Sequence, residues 1–484
     1  MTRMATPILA RSRADDDCDT WDELLECGAW GTMRHSPVRL PWPSRRAVFG
    51  LQARRTVHSR RIRFRWRRPR SRRDRLMNAF SVRSRLAAAL VLLGMRAIHG
   101  DERENPQAAV PDAQVGTLYP FLKATAGRSQ HGLSFLNDRF RDAEMWKREA
   151  RPKVLGLLQY DPPHGDFRAE VAERVDCGDY IREKVYFNTT PDLRVPAYLL
   201  LPKGDAKPRA AVVALHDHGA FFAWGKEKIV PLEREHPELA AFKRTYYSGR
   251  SYGESLVRRG YVVIVIDMFY WGERRMLLPG DPPAWRNRET MTAEDVVAFN
   301  RRSGANTTLI ATGLFEAGAT WSGVMFIDDI RTVDYLVTRP EVDPNRIGCC
   351  GLSVGGFRAA HLAGLDPRIR AAIVVGWMST YESMLQNKLT SIGFMKVVPG
   401  LYQEMDLPDV ASMAVPGGLM AIHGTRDGLF TNDGVQAAFD KIAAVYAKAG
   451  VPERFEGVTY DGPHEFSAEM QERAFAWLDR WLTP

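Results

Sequence analysis

The sequence predicts an α/β fold, a doubly wound and mostly parallel sheet with an N-terminal helical extension and insertions covering a cleft. Three observations predict it. Short apolar runs recur without the strict polar alternation of a half-exposed strand, as parallel strands covered on both faces require. Segments with helical spacing separate those runs, the alternation expected of an α/β sheet. One run ends in a Gly-rich turn that opens directly into an Ala-rich helix.

The chain has 484 residues, 45% of them hydrophobic and 26% charged, enough to bury a sizeable core and far from the composition of a disordered or collagen-like chain. Its net charge of +9 is unevenly spread. Residues 1–76 hold 19 Arg, no Lys and 8 acidic groups; removing these from the totals of 67 and 58 leaves 48 basic and 50 acidic groups in the remainder. The high isoelectric point therefore belongs to the tail.

That tail lacks hydrophobic periodicity, and Arg60 to Arg75 offers only Ile62, Phe64 and Trp66 as large apolar residues. Residues 1–76 are expected to be disordered or not translated, lying upstream of the true start. A nucleic-acid or anionic-lipid arm and an Arg-rich targeting segment are the competing readings. From Met77, Arg83 and Arg85 precede an apolar run from Leu86 to Met95, so residues 77–100 read as a signal peptide. The run is too short for a stable membrane anchor. A secreted or periplasmic location follows, with the cytoplasm as the alternative; no nucleic-acid partner is expected, and the sequence leaves the oligomeric state open.

Cysteines are few. Cys18 and Cys27 lie in the tail, and Cys177, Cys349 and Cys350 in the body, with no C-x-x-C spacing and no disulfide framework. Cys349 and Cys350 fall in an apolar run and read as small buried hydrophobes.

Residues 101–184 read as a helical extension anchored by Trp146, Leu155 and Leu157. The main domain, 185–484, opens with a hairpin: Val185 to Phe187 and Ala197 to Leu201 flank Asn188-Thr189-Thr190-Pro191-Asp192. Strands follow at Ala211 to Leu215, Tyr261 to Ile266, Ile347 to Cys350, Ala371 to Val375, Leu419 to Ile422 and Glu456 to Tyr460. Helices are predicted at Gly253 to Arg259, Phe326 to Thr338, Phe357 to Leu365 and Val435 to Ala449, with Asp343-Pro344 parting one helix from its next strand and Gly450 ending another. Gly272 to Ser322 and Trp377 to Gly417 are too long to be simple connections. Both leave the C-terminal end of a strand, where such sheets build ligand sites, and read as walls or lids.

The chemistry concentrates at Gly351-Leu352-Ser353-Val354-Gly355-Gly356, placed after a strand and before a helix. A strand that turns this sharply needs small residues on both sides of the serine, which is the context that makes G-x-S-x-G a nucleophile motif. An unassisted serine is a poor nucleophile, so a base and an orienting carboxylate must accompany it. Asp427, after the strand Leu419 to Ile422, is the predicted acid, with Asp433 in reserve. His464, in Tyr460-Asp461-Gly462-Pro463-His464-Glu465-Phe466, is the predicted base. His423 reads as a structural histidine at a strand end.

An acyl-transfer intermediate needs two N–H donors. The predicted donors are Val354 and, from Leu215-His216-Asp217-His218-Gly219-Ala220-Phe221, either Ala220 or Phe221. His216 and His218 alternate onto one face but lack a matching third ligand, so no metal and no cofactor is expected. Asp267, Trp271, Glu273 and Trp377 emerge at strand ends and are candidate substrate-binding residues, suited to stacking on and hydrogen-bonding a sugar, though core packing explains the two tryptophans as well. Arg358 reads as a helix-surface salt-bridge residue.

From Val185 to Leu482 the chain resembles the α/β-hydrolase superfamily, and more narrowly its dienelactone hydrolase and acetyl xylan esterase branch. The likeness rests on the hairpin followed by Pro202-Lys203-Gly204, the His216 to Gly219 loop, Asp328-Asp329-Ile330-Arg331 through Asp334-Tyr335-Leu336, and the closing Phe475-Ala476-Trp477-Leu478. It implies a metal-free serine esterase with Ser353, Asp427 and His464 as its triad, acting on small-molecule or carbohydrate esters, acetyl esters among them. A departure is that dienelactone enzymes often carry cysteine where Ser353 stands. Two alternatives stay open: a serine peptidase of the prolyl oligopeptidase type, which would usually bring a propeller domain this chain has no room for, and a non-catalytic binding protein on a hydrolase scaffold.

Overall fold

The computed structural model describes residues 110–204 and 207–483. The Arg-rich segment, the signal-like segment, Cys18 and Cys27 all lie outside the described residues.

Nine strands form one sheet: β1 (Glu170–Asp176), β2 (Tyr180–Thr190), β3 (Leu193–Pro202), β4 (Arg209–Leu215), β5 (Val262–Ile266), β6 (Val342–Leu352), β7 (Ile369–Val375), β8 (Gly418–Gly424) and β9 (Phe455–Tyr460). Their order is β1-β2-β3-β5-β4-β6-β7-β8-β9. The first three strands and β5 pair antiparallel, and the predicted hairpin forms with Val185 opposite Ala197. From β5 through β9 all pairs are parallel. β4 and β5 are buried nearly throughout, as are β7 and β8, which explains their non-alternating apolar sequences.

Two expectations need correction. Residues 170–184 are not helical but supply β1 and the start of β2. β1 lies at the sheet edge, almost entirely exposed, and its sequence EVAERVD carries no apolar face to announce a strand. Asp343-Pro344 does not precede its strand but lies within β6. It falls where the pairing with β4 is interrupted, between Val342 and Ile347, so the missing proline N–H breaks no ladder bond.

The helix Ala143–Leu157 starts at Asp142, whose carboxylate accepts from Met145 N at 2.7 Å. Trp146 is fully buried, whereas Leu155 and Leu157 are only partly so. Lys147 Nζ donates to Val415 O at 2.6 Å and Arg151 Nε to Gly364 O at 2.8 Å, tying this segment to the second insertion and to the helix that follows β6. The first insertion carries the helices Ala293–Ala305 and Thr307–Glu316. Among the described residues, no single helix is long and apolar enough to cross a membrane.

The chain leaves β4 toward β5 on one side and returns to β6 on the other. Such a switch point opens a crevice at the C-terminal strand ends. Tyr252 bridges its floor, donating from one hydroxyl toward Leu215 O at 3.0 Å and Cys350 O at 3.1 Å.

Candidate active site

β6 ends at Leu352, and the helix Val354–Leu365, buried along its whole length, begins two residues later. Between them Ser353 takes φ 59° and ψ −123°, a conformation disfavoured for any residue with a Cβ. The crowding that demands small neighbours is explicit. A Cβ on Gly355 would stand 2.1 Å from Leu215 O, one on Gly351 2.4 Å from the Gly355 carbonyl carbon, and one on Gly356 2.7 Å from Val375 O. Ser353 N donates to Val375 O at 2.8 Å, which fixes the turn against the end of β7.

Asp427 and His464 are brought together by two loops that zip to each other. Thr425 N donates to Tyr460 O at 2.7 Å and Arg426 N to Gly462 O at 3.0 Å, and a Cβ on Gly424 would lie 2.4 Å from Gly462 O. His464 Nδ1 then donates to Asp427 Oδ2 at 2.6 Å, while Leu429 N donates to Oδ1 at 2.9 Å. Burial pushes the Asp427 carboxyl up, but the hydrogen bond and charge of His464, the Leu429 N–H and His423 outweigh it and hold it below the usual carboxylate range. The reserve acid, Asp433, is exposed on the first turn of Asn432–Lys448. His423 is buried with Nδ1 3.9 Å from Asp427 Oδ2 and neither ring nitrogen hydrogen-bonded.

The ring of His464 packs on Gly376, the residue after Val375; a Cβ there would lie 3.0 Å from Cε1 and 3.3 Å from Leu352 Cδ1. Ser353 and His464 thus flank one turn at the end of β7. No hydrogen bond joins the Ser353 hydroxyl to the ring in this structure.

Val354 is the first residue of its helix, so its N–H has no intrahelical acceptor. The loop after β4 departs from expectation. Gly219 and Ala220 both have positive φ, 53° and 48°, and close a tight turn in which Ala220 N donates to His218 Nδ1 at 2.9 Å and Phe221 N to His218 O at 3.3 Å. Both amides predicted as oxyanion donors are thus spent inside the turn, whereas the N–H of His218 makes no hydrogen bond among the described residues. The His218 carbonyl also accepts from Lys228 Nζ at 2.9 Å and Trp271 Nε1 at 3.1 Å. His216 accepts from Met268 N through Nε2 at 3.0 Å and donates through Nδ1 to Asp217 O at 2.9 Å, so neither nitrogen is left for a metal. Burial, then the charges of Lys228 and Arg358, keep its ring neutral.

Of the four predicted substrate-binding residues, Asp267 and Trp271 serve the interior instead, whereas Glu273 is partly exposed and is held by Lys226 and Tyr186. Asp267 and Trp271 are fully buried. Lys226 Nζ lies 2.9 Å from Asp267 Oδ2, 2.9 Å from Glu227 Oε1 and 2.6 Å from Glu273 Oε1. These three carboxylates could otherwise hold a cation, their oxygens lying within 4.8 Å of one another, but a tethered ammonium fills the space between them. Arg358 is also corrected: it is fully buried and grips Asp329 through Nε at 2.9 Å and a terminal nitrogen at 2.5 Å, rather than lying on the helix surface. Both networks join residues far apart in sequence, which left no local signal.

Trp377 does sit beside the site. It follows Gly376, packs edge-on against Phe357 and Phe430, and carries Lys396 Nζ 5.3 Å from its ring centroid. Burial lowers the Lys396 pKa to about 8. Burial, then the charges of Lys396 and Lys228, hold the His218 ring neutral. Nothing in the sequence singles out Lys396, an isolated lysine in an insertion.

Residues 248–472 match the Dienelactone hydrolase family. Over 335 residues the chain is 26% identical to a Bacillus subtilis (strain 168) protein named as a candidate hydrolase, YtaP, covering 69% of this chain and 99% of that one. Among solved structures, a candidate acetyl xylan esterase of Bacteroides fragilis NCTC 9343 aligns with a TM-score of 0.52 and 17% identity, over 71% of this chain and 82% of that one. A glucuronoyl esterase of Solibacter usitatus aligns with a TM-score of 0.49 and 14% identity, over 70% and 93%.

The fold is therefore that of the α/β hydrolases. The match to the Dienelactone hydrolase family covers residues 248–472 of it. Ser353, Asp427 and His464 all fall inside that match, and the loop after β4 lies upstream of it.

Proposed function

We propose that the protein is a serine esterase in which Ser353 is the nucleophile, His464 the general base and Asp427 the group that orients the imidazole. The observation that carries this reading is the 2.6 Å bond from His464 Nδ1 to Asp427 Oδ2, made on a ring that packs against the turn to which Ser353 is bonded. With Nδ1 protonated toward Asp427, Nε2 is left as a proton acceptor.

Ser353 Oγ attacks the ester carbonyl carbon and passes its proton to His464 Nε2. The tetrahedral oxyanion is held by the N–H of Val354 and, in place of the engaged Ala220 and Phe221 amides, the free N–H of His218. As the carbon–oxygen bond breaks, the proton moves from His464 to the departing alcohol and an acyl-enzyme remains. Water then adds, its proton taken by His464 and returned to Ser353 Oγ as the acid leaves. Acetyl esters of carbohydrates are the substrates we favour, in line with what the aligned Bacteroides fragilis protein is named for. Export through residues 77–100 would place the enzyme where such polymers are met; mass spectrometry of the mature N-terminus tests that.

The decisive experiment is Ser353→Ala assayed on 4-nitrophenyl acetate. By comparison with other triads, turnover falls by roughly three to six orders of magnitude with thermal unfolding unchanged, and fluorophosphonate labelling is lost. An Ser353→Ala protein that still turns over at the parental rate refutes the assignment.

A further inference from the structure

Lys228 carries its charge in a fully enclosed place. Its side chain has no exposure, and the ammonium lies 3.0 Å from Asp217 O and 2.9 Å from His218 O, closer to these two carbonyls than to Asp217 Oδ2 at 3.4 Å. Taking a lysine out of water is far less favourable than filling the same space with an apolar side chain, and a carboxylate farther off than hydrogen-bonding distance offsets little of that. The carboxylate is also shared, since the Tyr247 hydroxyl donates to Asp217 Oδ1 at 2.5 Å. The ammonium is placed for the backbone.

That backbone is the loop after β4. Asp217 O and the N–H of His218 are the two ends of one peptide unit, and the carbonyl end accepts from both Lys228 Nζ and His216 Nδ1, the latter at 2.9 Å. The His216 tautomer is fixed, because Nε2 accepts from Met268 N at 3.0 Å. Drawing electron density toward a carbonyl oxygen makes the N–H at the other end of the same amide a stronger donor, and a charged donor draws more than a neutral one. Among the described residues that N–H has no acceptor. Lys228 also holds the next carbonyl, His218 O, beside Trp271 Nε1 at 3.1 Å, so the chain is pinned on both sides of His218.

We infer that Lys228 is a positioning residue for the oxyanion site: its ammonium fixes and polarises the Asp217–His218 peptide, so that the His218 N–H meets the developing negative charge as a strengthened donor. The inference rests on the esterase reading above and specifies how one of its two donors is prepared. Enclosed as it is, Lys228 does not touch substrate. It acts through a single amide, and its effect is realised when the oxyanion forms, which favours the transition state over the bound ester.

His218 is the only histidine of this chain that follows an aspartate, so labelling aspartate at the carbonyl carbon and histidine at nitrogen isolates one NMR signal, from this peptide. A trifluoromethyl ketone, whose hemiketal puts an oxyanion on Ser353, should move the His218 amide proton downfield in the parental protein. Lys228→Met removes the charge and keeps the length. It is expected to shrink that shift, to lower kcat on 4-nitrophenyl acetate by about tenfold to a hundredfold and to weaken the ketone by a similar factor, with KM within about twofold. Lys228→Gln, which retains a neutral donor and is the variant read if Lys228→Met does not fold, should fall between the two. A loss confined to KM or to unfolding temperature, with ketone affinity unchanged, makes Lys228 a packing residue and overturns the inference, as does a His218 amide that ignores the ketone. If the ester is cleaved and both variants keep the parental kcat and ketone affinity, the inference falls and the esterase reading stands. If the parental protein cleaves no ester and binds no ketone, the esterase reading falls and takes the inference with it.

Discussion

The imidazole of His464 rests directly on Gly376, where a Cβ would stand 3.0 Å from its Cε1 and 3.1 Å from its Nδ1. Gly376 also has φ 61°, so a side chain there is opposed twice. Gly376→Ala should lower kcat/KM by about tenfold, because the ring must shift by a few tenths of an ångström from its line to Asp427, and should lower stability by about 1 kcal/mol for the left-handed backbone. Ester kinetics beside urea unfolding separate the two effects. An unchanged kcat/KM would show that the ring position is not critical.

Asp427→Asn keeps the shape of the carboxylate but cannot accept the Nδ1 proton in the same way. Turnover is expected to fall by roughly three to four orders of magnitude, mainly in kcat, with folding intact. A loss confined to KM would assign Asp427 a role in binding instead.

Two glycine substitutions should act in opposite directions. Gly355→Ala puts a Cβ 2.1 Å from Leu215 O, backbone against backbone, where nothing flexible can yield; a loss of about 3 kcal/mol or more and little soluble protein are expected. Gly313, inside Thr307–Glu316, has nothing within 4 Å of a Cβ, so Gly313→Ala should stabilise by about 0.5–1 kcal/mol. Equilibrium unfolding of the pair checks both.

Acid should weaken the Lys226 network. Burial raises the Glu273 carboxyl, but the Lys226 charge, hydrogen bonds from Lys226 and Tyr186 and the Lys184 charge outweigh it and bring its pKa from 4.5 to about 2. A folded-state value below the unfolded one means stabilisation that is fully present above pH ~4.5 and lost as pH falls toward 2, on the order of 2 kcal/mol. Glu273→Gln should be less stable near pH 6 and lose less on acidification to pH 3. Parallel pH profiles for the two proteins would contradict this account.

The inner sheet was legible because β4, β5, β7 and β8 are covered on both faces and so read as unbroken apolar runs. β1 was not, since an exposed edge strand held by backbone bonds needs no apolar pattern. The serine motif was legible because Gly351, Gly355 and Gly356 answer backbone contacts that any such turn makes, and the loops bearing Asp427 and His464 followed from chain order. Ala220 and Phe221 were misread because the direction of an amide depends on φ at Gly219 and Ala220, which composition does not specify. Asp267 and Arg358 were misread for a different reason. Their partners, Lys226 and Asp329, come from other parts of the chain, and a charged residue at a strand end looks the same whether it meets substrate or an internal counter-charge.

The first insertion divides the sheet into two blocks of strands, β1 to β5 before it and β6 to β9 after it, yet β4 and β6 are paired side by side in the centre. A protease cut at exposed Gly318 would therefore sever the polypeptide without parting the halves, because the interstrand ladder and its apolar cover would still clasp them. The nicked molecule should migrate as one species until denatured, and the same loop is a natural place to graft a foreign module.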